Sequence, residues 1–137
     1  FPELLVMEYL PGAEFTVDAL ADKGKVLECC CRKGLRMENS IMLDSQVVKR
    51  TDIEKLCSNI ITDLNLDGNI GFDIKERANG IPIIMECNPR ITAGAPVFYY
   101  AGVNLPYLCM KKILGEKLPK SKIEYGLTVK RRWQEMV

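Results

Sequence analysis

The sequence predicts an α+β fold in which an antiparallel β-sheet carries packed helices. Apolar stretches of strand length follow one another across short turns near the start, and a second pair of such stretches comes later. Between the two groups, apolar residues recur at helical spacing. With 137 residues, of which 47% are hydrophobic, the chain is long enough to bury one core.

Three strands are predicted first, at Leu4 to Leu10, Phe15 to Ala21 and Lys25 to Cys31. Pro11-Gly12 and Asp22-Lys23-Gly24 provide the turns between them. Because connections this short join antiparallel neighbours, we expect these strands to form a meander.

The span of residues 32–49 has mixed charge and little periodicity, so it predicts a loop or a mobile flap near a substrate. Arg32, Lys33 and Arg36 are solvated charges in the simplest interpretation of this span. The alternative is that they contact a phosphate or a carboxylate.

A helix is predicted from Thr51 to Thr62, with one apolar face that packs on the sheet. Thr51 and Glu54 have the spacing of a capping box at its start. Ile60 belongs to the apolar face. Its replacement by Ala would cost on the order of a few kcal/mol of stability if that side chain is fully buried.

Beyond the helix, residues 91–96 form a loop of small residues that can approach a ligand closely. A short helix is predicted from Val97 to Gly102. Asn104 is expected to cap the next helix, which Gly115 ends. The tail from Ile123 to Trp133 is expected to be an edge strand.

Residues 68–90 predict a β-hairpin, with Ala78-Asn79-Gly80 in its turn. Pairing of its two strands would bring Asp73 near Glu86. A structural interpretation is equally simple: the charges keep the outer face of the hairpin soluble.

Polar residues follow the apolar part of the second strand. Glu86 and Asn88 lie two apart, so they share one face of an extended strand. A carboxylate beside an amide oxygen suits a hard cation such as Mg²⁺, and with Asp73 the set can hold two such ions against a nucleotide. Pro89 stiffens the exit that presents Arg90, a planar donor suited to phosphate.

These motifs carry a family resemblance. G-N-I-G-F-D at residues 68–73, M-E-C-N-P-R-I-T-A-G at 85–94 and A-G-V-N-L-P-Y-L at 101–108, with L-G-E soon after, resemble the carboxy-terminal lobe of an ATP-grasp domain of the carbamoyl-phosphate-synthase-like kind. The opening segment from Val6 to Asp18 resembles the hinge strand of that family, M-E-x-x-x-G-x-E followed by an alternating strand. The resemblance covers almost the whole chain, in the expected order.

The resemblance implies where a nucleotide binds. Backbone groups around Glu8 and Leu10 would recognise the adenine edge of ATP, and the Glu14 side chain would bind the ribose hydroxyls.

The resemblance also implies roles for the hairpin residues. Asp73 and Glu86 match two ligand positions for Mg²⁺, with Mn²⁺ as an alternative ion, and Asn88 matches the third. Arg90 matches the catalytic basic residue that steadies the transferring phosphoryl group.

The chemistry of such enzymes is activation of a carboxylate, or of bicarbonate, by ATP to an acyl phosphate, which an amine or a similar nucleophile then attacks. No protein nucleophile is required. The absence of His therefore agrees with this chemistry, and it counts against triad hydrolases and zinc enzymes with His ligands.

The chain starts at the hinge strand and has no Gly-rich phosphate loop. The resemblance therefore implies that residues 1–137 are the carboxy-terminal nucleotide- and Mg²⁺-binding subdomain of a larger ligase, inactive alone, with missing amino-terminal domains as its partners. The alternative is a non-catalytic nucleotide-binding or structural module that requires a missing partner domain.

A competing motif, D-x-N-x-D-G-x-I, runs from Asp63 to Ile70 and matches the first half of a calcium-binding EF-hand loop. The twelfth position of such a loop needs a bidentate carboxylate and is Ile74 here. We therefore expect a polar turn from helix to strand, with Gly68 at positive φ, and a calcium site is a distant alternative.

Charge and cysteine content limit the partners. Lys and Arg number 19 against 18 Asp and Glu, so neither a nucleic acid nor a membrane is expected as a partner. The basic run Lys130-Arg131-Arg132 is interpreted as solvated or domain-interface charge. The six cysteines include no C-x-x-C pair and are expected to be reduced and mostly buried, which indicates a cytoplasmic protein.

Overall fold

The computed structural model describes residues 3–4, 6–39, 41–132 and 134. One antiparallel sheet has the strand order β5-β4-β1-β2-β3-β6. Its strands are β1 (Glu14–Asp22), β2 (Lys25–Glu38), β3 (Ile41–Val48), β4 (Gly68–Glu76), β5 (Pro82–Asn88) and β6 (Thr128–Lys130). The helices are α1 (Thr51–Asp63), α2 (Ala95–Tyr100) and α3 (Leu105–Ile113). The predicted α+β class is confirmed.

β1 lies inside the sheet, between β4 and β2. Its side chains contribute to two hydrophobic cores, one on each face of the sheet. Because side chains alternate along a strand, Phe15 and Val17 point to one face, where they pack against α1. Leu20 points to the other face and packs with residues of α2 and α3, such as Phe98. On that second face Thr16 and Asp18 are also buried, although both are polar. The candidate site occupies this face.

The first predicted strand is absent: the described residues among 4–10 make no strand. Val6 and Tyr9 are 91% and 83% exposed, so their apolar side chains have no sheet or helix to cover them. The segment joins the sheet only after Leu10, where Gly12 N donates to Glu76 O at 2.8 Å. An apolar run forms a strand only where a partner ladder is available.

The span 32–49 is a long hairpin, so the predicted loop or flap is wrong. β2 continues to Glu38, and β3 returns beside it. The pairing shifts between Gly34 and Arg36 and again between Arg36 and Met37. Each shift breaks the two-residue alternation, which explains why the sequence showed no strand pattern there.

α1 agrees with the prediction within a residue at its end, but the capping box is wrong. Arg50 occupies the N-cap position, and no side chain caps the helix. The Arg50 guanidinium instead forms ion pairs with Asp52 at 2.7 Å and Glu76 at 2.8 Å.

The remaining helices are found near their predicted places. α2 starts at Ala95 rather than Val97, and α3 begins after Asn104, whose Oδ1 accepts a hydrogen bond from Tyr107 N at 3.1 Å. Gly115 follows α3 at a φ of 68°. Of the predicted tail strand only β6 forms; it is an edge strand, as expected, and Trp133 lies outside the described residues.

The EF-hand motif is a turn between α1 and β4. Asp67 Oδ1 accepts a hydrogen bond from Lys23 N at 3.1 Å and is also paired with Lys112, while Gly68 has a φ of 86°. A strand follows where an EF-hand would need a helix. The expected polar turn is confirmed.

All six cysteines are free thiols, as predicted. Cys30 and Cys31 face opposite cores of the sheet, and burial raises the pKa of Cys31 to about 12. Cys30, Cys31 and Cys57 are buried, whereas Cys87 is exposed. Within the described part of the chain, every helix is too short or too polar to cross a membrane.

Candidate functional site

The predicted hairpin forms from β4 and β5, and its register pairs Asp73 with Glu86 and Gly71 with Asn88. The expectation that Asp73 lies near Glu86 is therefore confirmed. Two carboxylate-bearing side chains stand directly opposite each other on neighbouring strands.

A β-bulge turns Glu86 toward this face. Asp73 pairs with Glu86, whereas the next residue, Ile74, pairs with Ile84, so Met85 is an extra residue in β5. Ile84 packs against the α1 core, although it lies only two residues from Glu86. Without the bulge, simple alternation would place both side chains on the same face.

The carboxylate pair belongs to a polar row across the sheet. Thr16 on β1 pairs with Asp73 on one side and with Arg32 of β2 on the other. Thr16 Oγ1 donates to Asp73 Oδ1 at 3.4 Å, and Arg32 Nη2 donates to Thr16 Oγ1 at 3.5 Å. The row thus runs from Glu86 on β5 to Arg32, carboxylates at one end and guanidinium at the other.

A pocket of about 830 Å³ covers the row. Five predicted site residues line it: Glu14, Asp73, Glu86, Asn88 and Arg90. Residues that were not assigned to the site line it as well: Thr16, Thr92, Ala93 and Arg131, together with Arg32, for which phosphate or carboxylate contact was the alternative interpretation.

The predicted adenine-binding residues are placed differently. Of the described residues around the pocket, Met7 comes from the opening segment, whereas Glu8 and Leu10 are not in its lining. The Glu8 carboxylate forms an ion pair with Arg77 at 2.7 Å, and Leu10 is buried. The prediction concerned backbone groups around these two residues, and it stays a prediction.

Electrostatics favour a cation between the paired carboxylates. Partial burial raises the pKa of Asp73 above its usual range, and the negative charge of Glu86 raises it further, while the Thr16 hydroxyl, Arg32 and Arg90 oppose the rise. Among the described residues, no group of three His, Cys, Asp or Glu side chains is arranged to hold a metal. A pair of carboxylates with an amide oxygen suits Mg²⁺, which commonly takes its other ligands from water and substrate phosphates.

Asp18 anchors the loop that carries Arg90. Its carboxylate is 2% exposed and accepts a hydrogen bond from Thr92 Oγ1 at 2.7 Å. Thr92 Oγ1 in turn accepts one from Gly94 N at 2.9 Å. Burial raises the pKa of Asp18, and the hydrogen bonds from Thr92 lower it. These contacts hold residues 91–94 over the sheet.

Gly71 leaves the space that this loop needs. A Cβ built at this position would overlap Thr92 Cγ2 and lie 3.4 Å from Asp18 Oδ1. Glycine in the middle of a strand often marks the close approach of another segment, and here that segment is the loop of Thr92.

We expect Gly71→Ala to displace the loop and to lower ligand affinity at the pocket by about tenfold, because the new methyl group occupies the place of Thr92 Cγ2. Thr92→Ser in the same chain should restore most of the affinity, since Ser lacks that methyl group but keeps the hydroxyl that reaches Asp18. The measurement is the dissociation constant of Mg²⁺ with ADP for the single and double variants. An equal loss in both would contradict the packing argument.

Two residues of this site that were not predicted have a visible signal in the sequence. Thr16 and Asp18 alternate with Phe15 and Val17 along a predicted strand, and this alternation places them on the face opposite the apolar one. Arg32 had no such signal, because the register shifts in β2 concealed that strand's continuation.

Residues 1–135 match the sequence model of a family described as ATP-grasp in the biosynthetic pathway with Ter operon.

Solved structures share the fold. A biotin carboxylase from Campylobacter jejuni, in complex with β-γ-ATP, superposes with a TM-score of 0.70 at 15% identity, over 85% of this chain and 29% of that one. An L-amino acid ligase from Bacillus licheniformis gives 0.60 at 17% identity, over 77% and 30%. The biotin carboxylase domain of a 2-oxoglutarate carboxylase from Hydrogenobacter thermophilus, bound to MgADP and bicarbonate, gives 0.66 at 16% identity, over 88% and 29%. The chain thus spans about 30% of the length of these proteins, and identities this low show a common fold alone.

Proposed function

The chain belongs to the ATP-grasp family, and from this membership we propose that it is the ATP- and Mg²⁺-binding part of a ligase. The ligase activates a carboxylate, or bicarbonate, as an acyl phosphate, which an amine or a similar nucleophile attacks. The observation that carries the proposal is the opposed pair Asp73 and Glu86, which faces a pocket that also contains Arg90.

Five of the pocket residues have a role in this proposal. Asp73, Glu86 and Asn88 would hold Mg²⁺, or Mn²⁺ in its place, and the ion would neutralise charge on the phosphates. Arg90 steadies the phosphoryl group during transfer, because a fixed cation stabilises charge that develops there. Glu14 binds the ribose hydroxyls and lies in the pocket beside Lys75, 3.9 Å from that ammonium group.

The remainder of the ligase would come from outside these residues. Biotin carboxylases and the L-amino acid ligase extend well beyond the matched region, and this chain has no Gly-rich phosphate loop. We therefore assign residues 1–137 to a carboxy-terminal subdomain that is inactive alone and works with amino-terminal domains of the same protein. Free thiols fit a cytoplasmic location.

The second candidate is a module that binds nucleotide without catalysis. The opening segment favours it, because residues 6–9 form no strand and the side chains of Val6, Met7 and Tyr9 are exposed. In this case the hinge segment forms a strand only against a partner domain.

Calorimetric titration of the full-length protein with a non-hydrolysable ATP analogue tests the proposal. We expect binding that requires Mg²⁺ and that Ca²⁺ does not reproduce, since Mg²⁺ prefers a small site with carboxylates and phosphate oxygens. Carboxylate-dependent release of ADP from ATP would then separate the ligase from the non-catalytic module. Nucleotide binding that is equally strong without a divalent ion would contradict the metal assignment.

The affinity for Mg²⁺ should depend on the protonation of Asp73. Its pKa is raised in the folded protein, so the metal-free fold gains stability from this group at low pH and loses it as pH rises through that pKa. Mg²⁺ needs the ionised carboxylate, so its affinity should fall by about tenfold per pH unit below the raised pKa.

The measurement for this dependence is Mg²⁺ titration in the presence of ADP between about pH 7 and pH 4. Asp73→Asn removes this titrating group and leaves the pH dependence of the nucleotide and of the other pocket groups. An identical pH profile in wild type and variant would contradict a role for Asp73 as ligand.

A further inference from the structure

The Arg32 side chain lies at the floor of the pocket and is only 5% exposed. It sits on β2, next to Thr16 of β1 and under the loop that contains Gly94. A guanidinium is rarely buried to this extent unless it is paired.

Arg32 lacks the partners that such burial calls for. Its Nε and Nη1 atoms have no hydrogen-bond partner among the described residues, and Nη2 reaches only Thr16 Oγ1 at a long 3.5 Å. Asp18 and Asp73 are close enough to favour its charge, but neither accepts a described hydrogen bond from it. Burial lowers the pKa of Arg32, and the charge of Arg131 lowers it further. A buried, incompletely paired cation is costly, and an anion in the pocket would relieve that cost.

The position of Arg32 separates it from the metal ligands. β1 lies between β2 and the strand of Asp73, so the backbones of Arg32 and Asp73 are about 10 Å apart. Glu86 is one strand further away. In the proposed function the metal and the nucleotide phosphates lie over Asp73 and Glu86, with Arg90 near them. An anion at Arg32 is therefore on the Thr16 side of Asp73, opposite the side of Glu86.

We propose that Arg32 binds the carboxylate or bicarbonate substrate that receives the phosphoryl group. The inference rests on the proposed function and names the residue that selects an anionic acceptor. A planar guanidinium whose Nε and Nη1 have no partner among the described residues can donate hydrogen bonds to the oxygens of a carboxylate. Thr16, which contacts both Arg32 and Asp73, connects this subsite to the metal ligands.

Phosphoryl transfer to the acceptor requires no proton from Arg32. One carboxylate oxygen forms a bond to the γ-phosphorus of ATP, and the bond from that phosphorus to the bridging oxygen breaks. Its electron pair leaves on ADP, and the product is an acyl phosphate. Arg32 orients the acceptor oxygens and remains protonated throughout.

Gly94 provides an independent way to disturb the subsite. Its backbone has the helical values φ −79° and ψ −19°, which Ala adopts without strain. A Cβ at this position would lie 2.6 Å from Arg32 Nε and 2.8 Å from Nη2. Glycine is therefore needed here for space, and Gly94→Ala should push the guanidinium out of its place while keeping the positive charge.

The test compares Arg32→Met and Gly94→Ala in the full-length protein, with Arg36→Met as matched control. Arg36 lies on the same strand but pairs with Asp44 outside the pocket lining. Calorimetry gives the dissociation constant of a non-hydrolysable ATP analogue with Mg²⁺. Thermal-shift titrations with acetate, bicarbonate and inorganic phosphate, with and without MgADP, give the affinity for each anion.

We expect both pocket variants to bind the ATP analogue within about twofold of wild type and to lose about tenfold or more in acetate and bicarbonate affinity. Arg36→Met should match wild type in every titration. If Arg32→Met weakens the ATP analogue by as much as the carboxylates, Arg32 is a phosphate ligand and the inference is overturned. Unchanged carboxylate affinity overturns it too.

Failure of the proposed function gives a different pattern. Wild type would then bind no ATP analogue, while the titrations without nucleotide still show whether acetate and bicarbonate depend on Arg32. If Arg32→Met does not fold, Gly94→Ala decides, because it keeps the arginine and adds only one methyl group.

Discussion

Glu86→Gln is expected to abolish Mg²⁺-dependent nucleotide binding, with a loss in affinity of about 100-fold or more. The substitution keeps the size and the hydrogen-bonding oxygen of the side chain but removes the charge that a hard cation needs. Glu86 is exposed and stands opposite Asp73, so its replacement also removes a like-charge repulsion. Folding stability should therefore change by less than about 0.5 kcal/mol.

Titration of MgADP into wild type and Glu86→Gln measures this effect, and thermal unfolding checks the fold. Glu116→Gln, an exposed carboxylate beyond α3, is the control for a general loss of negative charge. A second readout comes from Asp73, whose pKa should fall in the variant because the charge of Glu86 raises it in wild type. An unchanged MgADP affinity would exclude Glu86 as a metal ligand.

Ile61→Ala is expected to lower the free energy of unfolding by about 2–5 kcal/mol, the range for emptying a closed core position. Ile61 is 0% exposed and belongs to the cluster that joins α1 to β1 and β4, with Val17 and Phe72 among its members. The surrounding strands are held by hydrogen-bonded neighbours on both sides, so the cavity can close only in part.

The adjacent Ile60→Ala is the matched control, because it removes the same atoms from the same helix. The sequence made Ile60 a candidate for full burial, but the structure leaves it only partly buried at the rim of the cluster. Its replacement should cost less than half as much as that of Ile61. Equal losses in chemical denaturation would contradict the burial argument, because Ala has a higher helix propensity than Ile and propensity therefore cannot cause a loss at either position.

The sequence predicts the elements that follow a regular period. α1 shows its apolar face through Ile53, Cys57 and Ile61, and all three are buried. Asn104 caps α3 as its residue type predicts. Asp73 and Glu86 meet because a short turn fixes the pairing of their strands.

Features that depend on irregular strand pairing cannot be predicted from the periodicity of the sequence. The register shifts of β2 around Arg36 interrupt the alternation that would have identified a long strand with Arg32 in a buried position. The segment before Pro11 has the opposite problem, since an apolar run of strand length exists but no described strand pairs with it. Local pattern describes what a segment prefers, and tertiary pairing decides whether that preference is realised.

The bulge at Met85 has a consequence for insertions and deletions. Met85 and Glu86 together oppose the single residue Asp73, so removal of Met85 would leave Ile84 and Glu86 as consecutive residues of a regular ladder. Ile84 would still point to the α1 core and Glu86 to the pocket, because neighbours on a strand face opposite sides. The length of β5 is thus free to vary by one residue at this point while the carboxylate pair is retained.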